Sequence, residues 1–273
     1  MTRVSVHGAA GRMGRSIVKV LVEDKGATLV SAIERGGHAA LGQDAGVLAG
    51  LQEPLGVVVT SSLEAALERA EVVIDFSLPD AARSLFQACA QRRVGAVGGT
   101  TGLDPAARGA LDALCKVAPV VVAPNYSIGV NALWALAAQA VRLLGPDYDI
   151  EIVEMHHHHK VDAPSGTAVR LTEVVAQARG LDPAVAVRSG RSGQVGARTA
   201  GEIGVHALRG GDVVGDHTLV LAGPGERIEL THRAHSREIF ALGAVRAAHF
   251  VVGRAPGLYD MADVLGIAPS SHG

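Results

Sequence analysis

The chain has 273 residues, 48% of them hydrophobic and 19% charged, which suits one large or two ordinary folded domains and excludes a disordered protein. Lys and Arg number 25 against 27 Asp and Glu, a formal charge of -2, and aromatic residues are 3%, so neither a nucleic-acid backbone nor its bases have a matching surface. No apolar run approaches the roughly 18 residues of a membrane span, Met1-Thr2-Arg3 leads into a strand without a signal peptide, and Cys89 and Cys115 form no CxxC, so a cytoplasmic protein handling something small is expected.

In chain order, Arg3 to Val6 reads as a strand. Arg12 to Glu23 reads as a helix, with Met13, Ile17, Val20 and Leu21 at helical spacing. Thr28 to Ile33 and Val57 to Thr60 are strands, and Ser62 is the N-cap of a short helix reaching about Ala70. Gly36 to Gly56 is glycine-rich and poorly periodic, and reads as a long loop. Three more apolar runs, Val72 to Phe76, Val94 to Val97 and Val120 to Ala123, are separated by helices near Asp80 to Gln91 and Asp104 to Lys116. Short apolar strands alternating with helices predict an α/β fold, a parallel sheet covered on both faces.

The second half differs. Ile128 to Leu144 and Ser165 to Arg179 read as helices, Asp149 to Glu154 as a strand, and Gly196 to His232 as mostly strands, with turns at Gly210-Gly211 and Gly223-Pro224-Gly225. Arg237 to Val252 is helical again. Grouped strands predict a smaller α+β domain with a boundary near Tyr126 to Gly129.

Between the first strand and the first helix lies Gly8-Ala9-Ala10-Gly11-Arg12-Met13-Gly14, a GxxGxxG variant of the dinucleotide turn. Glycines there let backbone approach a pyrophosphate, and a helix N-terminus offers amides and a favourable dipole. Glycines of this kind also serve as plain turn residues. Glu34, at the end of the second strand, favours the dinucleotide reading because a carboxylate there accepts bonds from ribose hydroxyls. Arg35 beside it suits a 2′-phosphate, although a solvated surface Arg is the commoner case, so use of both NADH and NADPH is expected.

The stretch Glu154-Met155-His156-His157-His158-His159-Lys160-Val161-Asp162-Ala163-Pro164-Ser165-Gly166-Thr167 carries the most chemistry. Neighbours on a strand point to opposite faces, and no carboxylate or cysteine at ligand spacing completes a set, so no metal is expected. A polar solvated loop is the plain alternative. Taken whole, histidines exchange protons near neutral pH, Lys160 adds a cation, and Ser165-Gly166-Thr167 opens a helix as a carboxylate-sized anion site. Beside a nicotinamide, these groups suit a reductase of a carboxylated acceptor.

With these residues, and with Asp75-Phe76-Ser77, Gly99-Thr100-Thr101-Gly102 and Asn125 to Asn131, the chain resembles the 4-hydroxy-tetrahydrodipicolinate (dihydrodipicolinate) reductase family over nearly its whole length. The resemblance implies a Rossmann-like dinucleotide-binding domain (1–126 and 237–273) and a smaller mixed-sheet α+β domain for substrate binding and oligomerisation (127–236). It implies a homotetramer, a small dicarboxylate substrate, and loss of water with hydride transfer from NADH or NADPH in the diaminopimelate route to lysine. By matching position His156 is the catalytic proton donor and acceptor and Lys160 a second donor. His157, Gly166 and Thr167 hold substrate carboxylate. Gly8, Ala9, Ala10, Gly11, Arg12 and Met13 embrace the pyrophosphate, and Glu34 and Arg35 meet the adenosine ribose. Gly99, Thr100 and Thr101, with Ala123, Pro124, Asn125 and Tyr126, lie near the nicotinamide.

Two positions depart from other members. Pro124 removes a backbone donor where some have Ala, and His158 stands where some have Arg. Because the two sites fall in different domains, closure about Tyr126 to Gly129 and Ser236 to Ile239 is expected. The rivals are another NAD(P)-linked dehydrogenase of the aspartate pathway, which would have no use for the His-Lys-Ser-Gly-Thr run, and a non-catalytic dinucleotide-sensing regulator, for which no DNA-binding module is visible.

Overall fold

The computed structural model describes residues 1–267, so residues 268–273 of the first predicted domain lie outside the described residues. The chain divides into two compact units, one formed by Met1–Ile128 and the chain from Glu238 onward, the other by Gly129–Arg237.

In the first unit the β-branched runs become β1 (Thr2–His7), β2 (Ala27–Ile33) and β3 (Val59–Thr60), with α1 (Arg12–Glu23) after β1. The segment predicted as a loop holds a short helix, α2 (Ala45–Ala49), before β3. Its nucleus is the Asp44 carboxylate, which accepts from the amides of Gly46, Val47 and Leu55 at 2.8, 3.2 and 3.0 Å. A helix this short shows no apolar period, so its signal is the cap alone. Next come α3 (Leu63–Glu68), capped by Ser62 as predicted, β4 (Val72–Asp75), α4 (Pro79–Arg92), β5 (Gly95–Gly98), α5 (Pro105–Cys115) and β6 (Pro119–Val122).

These strands lie parallel in a seven-stranded sheet of order β12-β6-β5-β4-β1-β2-β3, in which β12 is Gly257–Tyr259. One apolar cluster includes Ile17 and Leu21 of α1 with Ala244 and Val251 of a later helix, and the other includes Leu85, Phe86, Leu111 and Leu114 of α4 and α5. Helices therefore cover both faces, which is why the strands are mostly apolar, with buried Ser5, His7, Ser31 and Asp75 as the polar exceptions. The chain builds outward from β1 to one side and then from β4 to the other, so the order reverses between β1 and β4. In open α/β sheets that switch point, at the C-terminal strand ends, is where ligands sit.

The second unit runs α6 (Ile128–Leu144, the first residue belonging to the other unit), β7 (Asp149–His156), α7 (Gly166–Arg179), α8 (Pro183–Ala186), β8 (Val187–Ser189), β9 (Ile203–Arg209), β10 (Gly215–Gly223) and β11 (Glu226–Ala234). Its five strands have the order β11-β10-β7-β9-β8. The first two pairings are antiparallel and the others parallel, so the sheet is mixed. Leu133, Ala137 and Val141 of α6 and Leu171 and Val175 of α7 form a core with Ile150, Ile152, Ile203, Leu219 and Leu221. Then α9 (Glu238–Val251), β12 and α10 (Met261–Leu265) complete the first unit. No described helix is long and apolar enough to cross a membrane.

Candidate active site

The first group of predicted residues gathers at the switch point. Gly8 has φ +75°, and its amide and that of Ala9 both donate to the Ile33 carbonyl at 3.0 Å. A Cβ on Gly14 would lie 2.2 Å from the Gly8 carbonyl oxygen, so the first turn of α1 presses backbone on backbone. Gly11 and Arg12 are exposed, Ala9 and Ala10 are buried, and Met13 lies between. Glu34 turns its carboxylate onto this turn, with Oε2 accepting from the Ala10 amide at 3.3 Å, while Arg35 is exposed.

Met13, Gly99 and the run Ala123 to Tyr126 line one cavity of about 290 Å³, completed by Phe76 and Phe240. Neither phenylalanine was assigned from the sequence, although Phe76 lies inside a motif quoted there. Tyr126 packs edge-on against Phe76, with ring centroids 5.4 Å apart. Its hydroxyl is buried within reach of the Gly98 and Val121 carbonyls at 2.8 and 3.1 Å, and burial raises its pKa. Tyr126 thus contributes a ring face to the cavity rather than a free hydroxyl. Thr100 is buried and donates to Asp75 Oδ2 at 2.7 Å, while His7 Nδ1 meets Asp75 Oδ1 at 2.7 Å. The fully buried Asp75 therefore ties the ends of β1 and β4 to the turn after β5. Thr101 is exposed beside it.

The second group gathers at the end of β7. Residues two apart on a strand share a face, and Glu154 and His156 both point inward, 0% and 8% exposed. His156 Nδ1 lies 2.6 Å from Glu154 Oε2. Arg209, at the end of β9, donates to both oxygens of Glu154 at 2.9 and 3.0 Å, and the Ser165 amide donates to Oε1 at 3.0 Å. Burial pushes the Glu154 carboxyl up, but the bonds from Arg209, His156 and Ser165 outweigh it and hold it below the usual range. Neither Arg209 nor His217, the histidine packed edge-on to His156 at 5.2 Å, was assigned from the sequence.

Ser165 caps α7, its hydroxyl accepting from the Ala168 amide at 3.2 Å and meeting His217 Nε2 at 2.9 Å. That hydroxyl is therefore engaged inside the protein, unlike the sequence expectation that it would face an anion. Gly166 and Thr167 supply the first amides of the helix, which precede any i-4 partner. His157 turns away from His156, its amide donating to the Val213 carbonyl at 2.8 Å and its Nδ1 buried without a partner among the described residues. Desolvation first, then Arg237, lower its pKa. Lys160 is clasped by Asp162, with Nζ donating to the two carboxylate oxygens at 2.7 and 2.9 Å. His158 and His159 are exposed, and His158 Nδ1 meets the Gly211 carbonyl at 2.9 Å. Among the described residues no cluster of three or more His, Cys, Asp or Glu is arranged to hold a metal.

A doubly wound parallel sheet with a glycine turn at its switch point, and a buried histidine–carboxylate pair at the mouth of a second sheet, define a dinucleotide-dependent oxidoreductase. Residues 2–126 match the family described as dihydrodipicolinate reductase, N-terminus, and residues 129–265 its C-terminus. The chain belongs to the dihydrodipicolinate reductase family. It is 53% identical over 267 residues to the 4-hydroxy-tetrahydrodipicolinate reductase of Anaeromyxobacter dehalogenans (strain 2CP-C), covering 98% of each chain. It is 52% identical over 266 residues to that of Alkalilimnicola ehrlichii, covering 97% of this chain and 99% of the relative. The dipicolinate-bound dihydrodipicolinate reductase of Paenisporosarcina sp. TG-14 superposes with a TM-score of 0.77 at 25% identity, over 98% of this chain and 100% of that one.

Proposed function

We propose that the chain catalyses the NAD(P)H-dependent reduction of 4-hydroxy-tetrahydrodipicolinate to tetrahydrodipicolinate, with loss of water, in the diaminopimelate route to lysine. The observation that carries this reading is the segment from Glu154 to Thr167, which sets a buried, carboxylate-paired histidine and a lysine beside the N-terminus of α7. Its setting in a chain over half identical to such reductases across nearly full length supports it.

The first unit takes the dinucleotide. The turn Gly8 to Met13 fits a pyrophosphate because its glycines, Gly8 at φ +75° and the exposed Gly11, put backbone rather than side chain at the start of α1. Glu34 is within reach of the same turn to accept from the adenosine ribose, and exposed Arg35 is free to swing onto a 2′-phosphate. The apolar cavity lined by Met13, Gly99 and Ala123 to Tyr126 suits the nicotinamide ring, and Thr100 and Thr101 follow Gly99 in the chain. When bound, the reduced nicotinamide supplies the hydride.

The second unit takes the dicarboxylate. The amides of Gly166 and Thr167 and the ring of His157 hold a carboxylate at the helix N-terminus. His156 gives and takes a proton, and Lys160 supplies another as its ammonium moves from Asp162 to the substrate. Positive charge from Lys160 also offsets a dianion. Assembly as a homotetramer is assigned to this unit.

The test is oxidation of NADH and NADPH with substrate made in place from pyruvate and aspartate semialdehyde by a coupling synthase. Both cofactors are expected to work, and a preference above about a thousandfold would exceed what one Arg–phosphate pair supplies. His156→Ala and Lys160→Ala are expected to lose about a hundredfold or more in turnover with NADH affinity kept. A folded wild type that binds NADH without turnover would leave the cofactor half and remove the substrate half.

A further inference from the structure

Glu154 is a fully buried carboxylate whose acceptor sites are all taken. Oε1 receives the Ser165 amide and one Arg209 nitrogen; Oε2 receives the other Arg209 nitrogen and His156 Nδ1. These donors come from three different elements, the cap of α7, the end of β9 and β7 itself. An ionised carboxylate only accepts, so His156 Nδ1 must carry the shared proton. Among the described residues, the other ring nitrogen, Nε2, has no hydrogen-bond partner. It lies over Gly215, the first residue of β10, where a Cβ would come within 2.9 Å of it.

The remaining charged and titratable groups facing the ring fit the same arrangement. His217, opposite Glu154 in the β7–β10 register, is pushed down to about 4, first by burial and then by His156 itself, so it stays neutral near pH 7. Lys160 and His157 lie on the loop beyond β7. Arg209 also donates to the Asp162 carbonyl at 2.7 Å, which fixes that loop to the same clamp.

We propose that Glu154 is the positioning residue of this site, holding the Nδ1 proton of His156 so that Nε2, in the clearance left by Gly215, is the atom that exchanges the proton. The proposal rests on the reading of His156 as the proton-transfer group. When Nε2 takes a proton, Nδ1 keeps its own, and the imidazolium is balanced by a carboxylate that stays ionised. When Nε2 gives the proton up, the same Nδ1–H tautomer returns. Arg209 and the Ser165 amide make this one-way, because a carboxylate so saturated does not compete for the proton. Gly215 leaves room for substrate to reach Nε2.

The experiment combines steady-state kinetics with 15N spectra of protein labelled at histidine, taken where the His156 ring is neutral and assigned by the signal lost in His156→Asn. The wild type is expected to show Nδ1 protonated and Nε2 bare. Glu154→Gln, which keeps shape and removes charge, is expected to move the ring toward the Nε2-protonated form. Its kcat should fall about a hundredfold, with KM for the substrate and Kd for NADH within about threefold, a split that simple loosening of the fold would not give. Gly215→Ala is expected to keep the Nδ1 signature and lose kcat. A wild type protonated at Nε2 would overturn the proposal, and so would Glu154→Gln or Gly215→Ala with wild-type kcat. The wild-type spectrum decides even if Glu154→Gln fails to fold. Full turnover in His156→Asn would instead overturn the reading of His156 on which the proposal rests.

Discussion

His217 is buried on β10 with its ring edge-on to His156, and burial first, then that neighbouring imidazole, lower its pKa to about 4. An unfolded histidine titrates near 6.5, so the native state favours the neutral ring. The stabilisation is complete above about pH 6.5 and is lost as pH falls through about 4, on the order of 2–3 kcal/mol over that window. Urea unfolding of wild type and His217→Gln across pH 7 to about 4.5 should therefore show the steeper loss in wild type, and parallel curves would remove the assignment. The site's residues were unequally visible beforehand. His156, His157, Lys160, Gly166 and Thr167 fall within twelve positions of one segment, so the sequence groups them, while their individual roles come from the resemblance. Glu154 shares the His156 face by the two-residue period, yet its burial depends on the helices over that face. Arg209 and His217 arrive from strands whose register with β7 no local pattern encodes.

At the scale of the element, α7 carries the proposed substrate end of the site, and Ser165 fixes where it starts. The Ser165 hydroxyl accepts from the Ala168 amide and meets His217 Nε2, and the Ser165 amide anchors Glu154. Ser165→Ala loses an N-cap, about 1 kcal/mol, and leaves a buried ring nitrogen unpaired, another 1 kcal/mol or more. Thermal unfolding should show a total loss of about 2–3 kcal/mol, with KM for the substrate raised because the amides of Gly166 and Thr167 are no longer held. Ser165→Thr, which keeps the acceptor, should recover most of both; no recovery would mean that packing, not the cap, is at stake. The Pro164–Ser165 start of this helix was legible because capping is a local signal. The short elements were not. Three residues of β8 or β12 cannot display a two-residue period, and those strands exist because a neighbouring strand offers a ladder to join. The helix α2 is the same case, set by Asp44 rather than by apolar spacing.

Over the whole molecule, alternation of apolar strands and helices revealed the parallel sheet of the first unit, because a strand buried on both faces is mostly apolar. Strand order was not written there, since neighbours are chosen by how crossovers pack. The parallel pairing of β7 with β9, across the intervening α7, α8 and β8, belongs to the same class of long-range choice. The second sheet also leaves a face to be explained. Ile150, Ile152, Leu219 and Leu221 point into the core under α6 and α7. Residues on the opposite face, such as Val153, Met155 and Val220, are only partly buried, and Leu208 is 48% exposed. They alternate with Glu151, His206 and Thr218, and Glu151 is held ionised there: burial raises its pKa, but bonds from Arg191, His206 and Arg198 bring it to about 2. A mixed apolar and charged face with its side chains already ordered suits association with another copy of itself. For the homotetramer proposed above, light scattering is expected to give a mass of four 27.9 kDa chains at micromolar concentration. Charging the strip with Val153→Arg and Leu208→Glu together should give smaller species that still bind NADH, because the dinucleotide turn lies in the other unit. A monomeric wild type would remove the tetramer, and a tetramer that survives both substitutions would move its interface off this face.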